Sequence, residues 1–330
     1  MLLSEIAAKL GGRLEGPDRE TARLAGPAGA TPNDLVVIRE TRYLGVALTT
    51  GAALLVEEGI QVPGGISLIR VASVPGVWRQ ALEIFDTPEG WETQTHPSAR
   101  VSPGARLGAG VVLGAFAVVE EGAVLEDQVV VGPFSYVGQG VQVGKESRLE
   151  ARVVLQRGTL VGARCRILSG AVIGVAGFGF QDGVRLSHAG RVVLEEGVEV
   201  GANTVIERSL AGETRVGAFS KIGGLCYIAH NCTIGKGVVM AGNNSLAGSV
   251  TVGDGVMFGG ASGVSDHLKI GPGARIAAAS IVTKDVPAGE AWVGLTPARP
   301  AREHWRRLAL LDWLGGVERK LKLLMGKNHD

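Results

Sequence analysis

The chain has 330 residues, enough for a large core and more than one domain. Its net charge of +1 at pH 7 excludes a nucleic-acid binder working by bulk electrostatics. No stretch approaches the roughly 20 apolar residues of a membrane span, and the N-terminus lacks the basic start and cleavage site of a secretory signal, so a cytoplasmic protein is expected. Apolar residues make up 45% of the chain but aromatics only 5%, with 51 glycines, so packing should rest on small and branched side chains.

Residues 1–95 read as a small α/β domain. "LSEIAAKLG" has the spacing of an amphipathic helix ending at Gly11, "DLVVI", "AALLVEE" and "SLIRV" read as strands, and "VWRQALEIF" as a second helix.

From Val101 the sequence beats in sixes. Thirteen consecutive branched aliphatics run from Val101 to Ile173, three more are Leu194, Val200 and Ile206, and twelve run from Val216 to Val282. Four residues after each beat the side chain is usually small, as at Ala105, Ala117, Ala123 and Ser135, and a glycine often follows the beat directly. A period of six fits neither a helix nor a plain amphipathic strand; it is the signature of a hexapeptide parallel β-helix, three hexads to a coil. The 28 beats predict about nine coils over residues 96–290. The known hexapeptide folds are left-handed, so a mainly β, left-handed parallel β-helix is expected. The glycines are expected to serve corner dihedrals. Cys165, Cys226 and Cys232 each fall four residues after a beat and form no C-x-x-C pair, so they read as core residues, with no metal expected.

Two segments interrupt the beat, 174–193 and 207–215. Every third beat shares an edge, so both excursions fall on the edge of His230. Steps of eighteen from His230 reach Gly248, Asp266 beside His267, and Lys284. A rigid scaffold that gathers loops and polar residues on one edge is a usual place for a site. Taken alone, His230 reads equally as a solvated corner residue. After residue 290 the chain turns helical, and "REHWRRLALLDWLGGVERKLKLLMG" carries apolar residues at helical spacing, needing the prism or a partner subunit to pack on.

The motifs "GFGF" (177–180), "GANTVIERS" (201–209), "IAHN" (228–231), "GGASGVSDH" (259–267) and "GLTPARP" (294–300) give the chain a resemblance, across its whole length, to the UDP-3-O-acylglucosamine N-acyltransferase family of lipid A biosynthesis. The resemblance implies a homotrimer with sites between prisms and a nucleotide-binding role for the N-terminal domain. The implied reaction moves a 3-hydroxyacyl chain from the phosphopantetheine of acyl carrier protein to the amine of a UDP-linked glucosamine. No bound cofactor is implied. By the same resemblance His230 is the general base and the N–H of Gly248 the oxyanion donor. His267, Tyr43, Phe178 and Phe180 would bind the sugar nucleotide, with Lys284 near the pantetheine arm and Ile281 in the acyl groove.

The sequence departs from the family at three places. Gly223 stands where a carboxylate usually orients the histidine, and Val37 and Glu40 replace the usual aromatic and asparagine of the uridine stretch. Glu207 or Glu213, on the excursion one coil beneath His230, is a candidate substitute for that carboxylate. Two other functions are compatible with these residues. One is a sugar O-acyltransferase using a similar histidine; the other is a sugar-nucleotide-binding homologue without turnover. A carbonic anhydrase of this architecture would need a third metal-binding histidine beyond His230 and His267.

Overall fold

The structure, a computed structural model, describes residues 1–86, 94–294, 298 and 300–324, with side chains described except at 315–316 and 318–324. The chain divides into two compact units between residues 90 and 91.

In the first unit a five-stranded sheet runs in the order Arg13–Glu15, Leu68–Val71, Ala53–Glu57, Asp34–Val37, Arg23–Ala25. Only the first of these pairings is antiparallel. Helices Leu3–Lys9 and Val74–Phe85 close over it; Ser73 caps the second, accepting from the Gly76 N–H at 3.3 Å. Leu35, Leu55 and Ile69 are fully buried beneath them. Val37 belongs to a sheet strand and packs against this core. Glu40 pairs with Arg42 on the exposed surface, and the Arg42 guanidinium lies 4.8 Å from the centre of the Tyr43 ring.

The second unit is the expected solenoid. Its three faces are parallel sheets of ten, ten and nine two- to five-residue strands. All the hexad beats lie on these strands, and one further strand, Ala291–Trp292, pairs with Arg275–Ile276 just past the expected boundary at 290. The beat that announces the other strands has already been broken there, so periodicity could not find it. The aliphatics stack inward: Leu155, Ile173, Ile206, Ile228 and Leu246 are all buried in one continuous core, each contributing on the order of 1.5–3 kcal/mol. The three cysteines are free and buried in the small slot.

Glycines serve the corner dihedrals at part of the corners, as at Gly122, Gly140 and Gly237 with φ of 70, 65 and 62°, but not at the position directly after the beat. The left-handed corner position is three residues after the beat and is often not glycine: Phe116, Phe134, Phe219 and Leu225 hold φ of 57, 58, 61 and 58°. The glycine directly after the beat lets successive coils touch. At Gly223 a Cβ would sit 2.6 Å from the Gly242 nitrogen and 2.7 Å from the Ala241 carbonyl carbon. A side chain placed there would make the facing coil shift.

A helix, Ala301–Leu324, ends the described chain; its Trp305, Leu311 and Trp313 are exposed. Among the described residues no helix is long and apolar enough to cross a membrane, and no three His, Cys, Asp or Glu side chains are grouped to hold a metal.

Candidate active site

One face of the solenoid carries the candidate residues in register. Val172–Ala176, Val205–Arg208, Tyr227–Ile228, Ser245–Leu246, Gly263–Val264 and Ile281–Val282 pair in that order. Both excursions leave from this edge, as the counting by eighteen requires. The first excursion forms a hairpin, Phe180–Gln181 against Val184–Arg185, which holds Phe178 and Phe180 outward with their rings 5.1 Å apart.

His230 follows the inward Ile228 by two residues, at the corner. Its backbone carbonyl accepts from the Ser249 N–H of the next coil at 2.9 Å, and the Gly248 carbonyl accepts in turn from His267 N–H at 3.0 Å. The imidazole lies over Gly248: a Cβ there would sit 2.8 Å from Cε1 and 3.0 Å from Nε2. Only glycine admits the ring at that distance. The Gly248 N–H is half-exposed and donates to no acceptor among the described residues.

The ring's other edge is held by Asn231, whose Oδ1 is 3.1 Å from His230 Nδ1. The amide cannot be turned round. Leu210 N–H donates to Oδ1 at 3.1 Å, and Nδ2 donates to the Ala211 carbonyl at 3.3 Å. An oxygen therefore faces Nδ1, so Nδ1 carries the proton and Nε2 offers a lone pair toward Gly248. The second excursion thus orients the histidine through Asn231, and not through either of the carboxylates expected to do so. Glu213 is bonded to Arg191, at 2.6 Å, and to Arg215; these arginines hold its carboxyl below the usual range. Glu207 is buried and accepts from the backbone N–H of His230 at 3.0 Å, from Phe178 N–H at 3.0 Å and from the Tyr227 hydroxyl. Burial, and then Glu207, push the Tyr227 phenol up to about 12, so it stays protonated and donates.

Sequence reading missed a second histidine. His188, in the first excursion, is 3% exposed, and its ring meets that of His230 edge to face at 5.5 Å. Its Nδ1 lies 3.1 Å from the Leu186 carbonyl. The signals were present, Asn231 within "IAHN" and His188 within "LSHAGR", but neither side chain can be placed by periodicity.

Above His230 the same face forms an open groove of about 360 Å³, lined by Tyr227, Ser245, Leu246, Ala247, Gly263, Val264, Ser265 and Ile281. Ile281 is largely exposed at its far end. Higher on the edge, His267 is solvent-exposed with Nε2 4.0 Å from Asp266, and the Lys284 ammonium lies 5.5 Å from the centre of the Trp292 ring. The structure thus brings His230, Gly248, Glu207 and the backbone of Phe178 together, aligns Ile281, His267 and Lys284 with them, and places Tyr43 in the other unit.

No family model matches the chain. It is 57% identical over 178 residues to a UDP-3-O-acylglucosamine N-acyltransferase of Maricaulis maris, covering 53% of this chain and 51% of that protein. To the protein of that name from Caulobacter sp. it is 38% identical over 161 residues, covering 48% and 47%. These two alignments span about half the length of the relatives they match. A third, to the protein of that name from Anaeromyxobacter dehalogenans, is 35% identical over 260 residues and covers 74% of this chain and 73% of the relative. Of solved structures, UDP-N-acetylglucosamine acyltransferase from Francisella novicida superposes with a TM-score of 0.53 at 27% identity, covering 59% of this chain and 73% of that one. The Arabidopsis protein so named gives 0.52 at 28%, covering 61% and 71%.

Proposed function

The chain belongs to the UDP-3-O-acylglucosamine N-acyltransferase family, and on that premise we propose that it transfers a (3-hydroxy)acyl group from the phosphopantetheine thioester of acyl carrier protein to the amine of a UDP-linked glucosamine. The observation that carries this reading is His230, its Nδ1 held by Asn231 and its ring packed against Gly248, whose N–H meets no acceptor among the described residues. An amine attacking a thioester forms a C–N bond and must lose a proton, which Nε2 can take. The carbonyl oxygen becomes an oxyanion, which a fixed N–H stabilises. When the C–S bond breaks, the imidazolium can return the proton to the departing thiolate.

The groove ending at Ile281 suits an acyl chain, and Lys284 farther along the edge suits the phosphate of the pantetheine arm. His267, Phe178, Phe180 and Tyr43 are read as contacts to the sugar nucleotide. A trimer would cover the exposed corner residues Phe219 and Leu225 and the stacked Phe116–Phe134 pair, and would give the open groove a second wall. Sedimentation at micromolar concentration tests it, and a clean monomer would rule it out.

A hydroxyl acceptor is the second reading, favoured by the likeness to the two solved UDP-N-acetylglucosamine acyltransferases. Incubation with acyl carrier proteins of mixed chain length and with amino and hydroxyl sugar nucleotides, followed by mass spectrometry, separates the two. Amide product supports the proposal, ester product the second reading, and no product a binding protein without turnover.

A further inference from the structure

We propose that Glu207 is a positioning residue that latches the Gly177–Phe180 segment to the backbone of His230, so that one buried carboxylate sets the substrate loop and the base together. Glu207 lies on Val205–Arg208, between the strand from which the hairpin departs and the strand that leads to His230. Its Oε1 accepts from Phe178 N–H at 3.0 Å and from the Tyr227 hydroxyl, and its Oε2 accepts from His230 N–H at 3.0 Å.

A corner carboxylate bonding an N–H of the next coil is not unusual in this solenoid. Glu195 does so to Ala218 N–H at 3.0 Å, but it is 30% exposed and paired with Arg215. Glu207 is 3% exposed and makes no ion pair among the described residues. The neighbouring Arg208 is bonded elsewhere, its Nε to the Gly174 carbonyl at 2.6 Å. Burying a carboxylate without a cation is a poor way to stabilise a fold. Its three neutral donors are instead one from the loop, one from the groove wall and one from the base's own backbone.

The loop closes on this carboxylate only because residue 177 has no side chain. A Cβ on Gly177 would lie 2.7 Å from Glu207 Oε2 and 2.6 Å from His188 Nε2. That His188 nitrogen is buried without a hydrogen-bond partner among the described residues, so the contact is held by fit at Gly177 and not by a bond to His188. The far side of the segment is pinned by Arg185, which donates to the Gly177 carbonyl at 2.9 Å.

Two substitutions open the latch from opposite sides. Glu207→Gln keeps the shape but turns one acceptor into a donor facing an N–H. Gly177→Ala wedges the loop away by crowding Glu207 Oε2 and His188 Nε2, with residues 207 and 230 themselves unchanged; its φ is not in the left-handed region, so alanine is otherwise compatible. Hydrogen exchange over 177–180 and 228–231 reads the latch without turnover. Faster exchange of both segments in Glu207→Gln, and of 177–180 in Gly177→Ala, is expected, and unchanged exchange in either overturns the proposal.

The kinetic consequence rests on the acyl-transfer reading. Each variant should lose about 10²-fold in kcat, as for a base displaced by roughly 1 Å, with KM raised for the acceptor and unchanged for the donor. The double variant should be no worse than Glu207→Gln alone, because both act on one contact. Additive losses, or a lowered melting temperature with kcat intact, would reduce Glu207 to a structural residue. If wild-type protein shows the protection but transfers no acyl group, the acyl-transfer reading fails and the latch stands.

Discussion

Asn231 holds the His230 ring at Nδ1. Its Oδ1 is 3.1 Å from Nδ1, and that oxygen's identity is set by the Leu210 N–H and the Ala211 carbonyl on the neighbouring excursion. Nε2 is left as the proton acceptor.

Replacing Asn231 with alanine should therefore release the tautomer without removing the base. Turnover should fall by about 10- to 10²-fold, a share of the 10²–10⁴-fold usual for a general base. The ¹⁵N shifts of the His230 ring should move from a pure Nδ1–H form to a mixture. Ring shifts and turnover both as in the wild type would show that the bond orients nothing.

Removal of the proposed base is the harsher test. His230→Ala should cost about 10²–10⁴-fold in acyl transfer. The melting temperature should hold, because the side chain sits at a corner outside the buried stack of Ile228 and Leu246. Near wild-type turnover in this variant would remove His230 from the mechanism.

Restoring the carboxylate common in the family should fail. In Gly223→Asp the new Cβ meets the Gly242 nitrogen at 2.6 Å, and overpacking of this kind costs about 1–3 kcal/mol. A lower melting temperature with no gain in kcat is expected; a faster enzyme would mean that the coils can part at this corner.

Tyr227 makes stability depend on alkaline pH, through its burial first and Glu207 second. Its phenol is pushed up to about 12 in the folded chain, against about 10 when unfolded. The folded state keeps a proton that the unfolded state gives up, so this contribution is complete below about pH 10 and is lost between about pH 10 and 12. Denaturant melts of wild type and Tyr227→Phe should therefore converge across that window and run parallel below it. A constant difference from pH 9 to 12 would contradict the assignment.

Donor docking tests the terminal helix. Arg302, Arg306 and Arg307 are exposed there, with Arg307 3.6 Å from Glu303, while the side chains of Arg319, Lys320 and Lys322 lie outside the described residues. Reversing the charge at Arg306 and Arg307 should weaken binding of acidic acyl carrier protein, most strongly at low salt. An unchanged affinity and salt dependence would place docking elsewhere.

The solenoid was legible because its constraint repeats: the inward Ile, Val and Leu recur with the coil, and steps of eighteen brought His230, Gly248 and Lys284 to one edge before any coordinate. What periodicity does not carry was lost. The strand Arg13–Glu15 is three residues long with a mixed pattern, and Ala291–Trp292 follows a broken beat. Asn231 and His188 act through hydrogen bonds and ring contacts to non-repeating excursions, whose path no hexad specifies; Glu207 was singled out, but the backbone N–H of His230 that it bonds was not. Glycine does hold left-handed corners, as at Gly140 and Gly237, but the same φ at Phe219 or Leu225 leaves no mark in composition.

The pairing of Tyr227 with Ser245, Ser245 with Gly263 and Gly263 with Ile281 advances by one coil each time. The distance from the base to the end of the groove is therefore quantised, in steps of about 4.8 Å. Inserting a few residues would not lengthen it; the extra residues would loop out at a corner, as those between Ile206 and Val216 do, and leave the column in register. A wall that must be moved by less than a coil can be moved only by changing the side chain that stands on it. Fine adjustment of the groove's length then belongs to single substitutions at Ile281 and Gly263, and coarse adjustment to the gain or loss of eighteen residues at once.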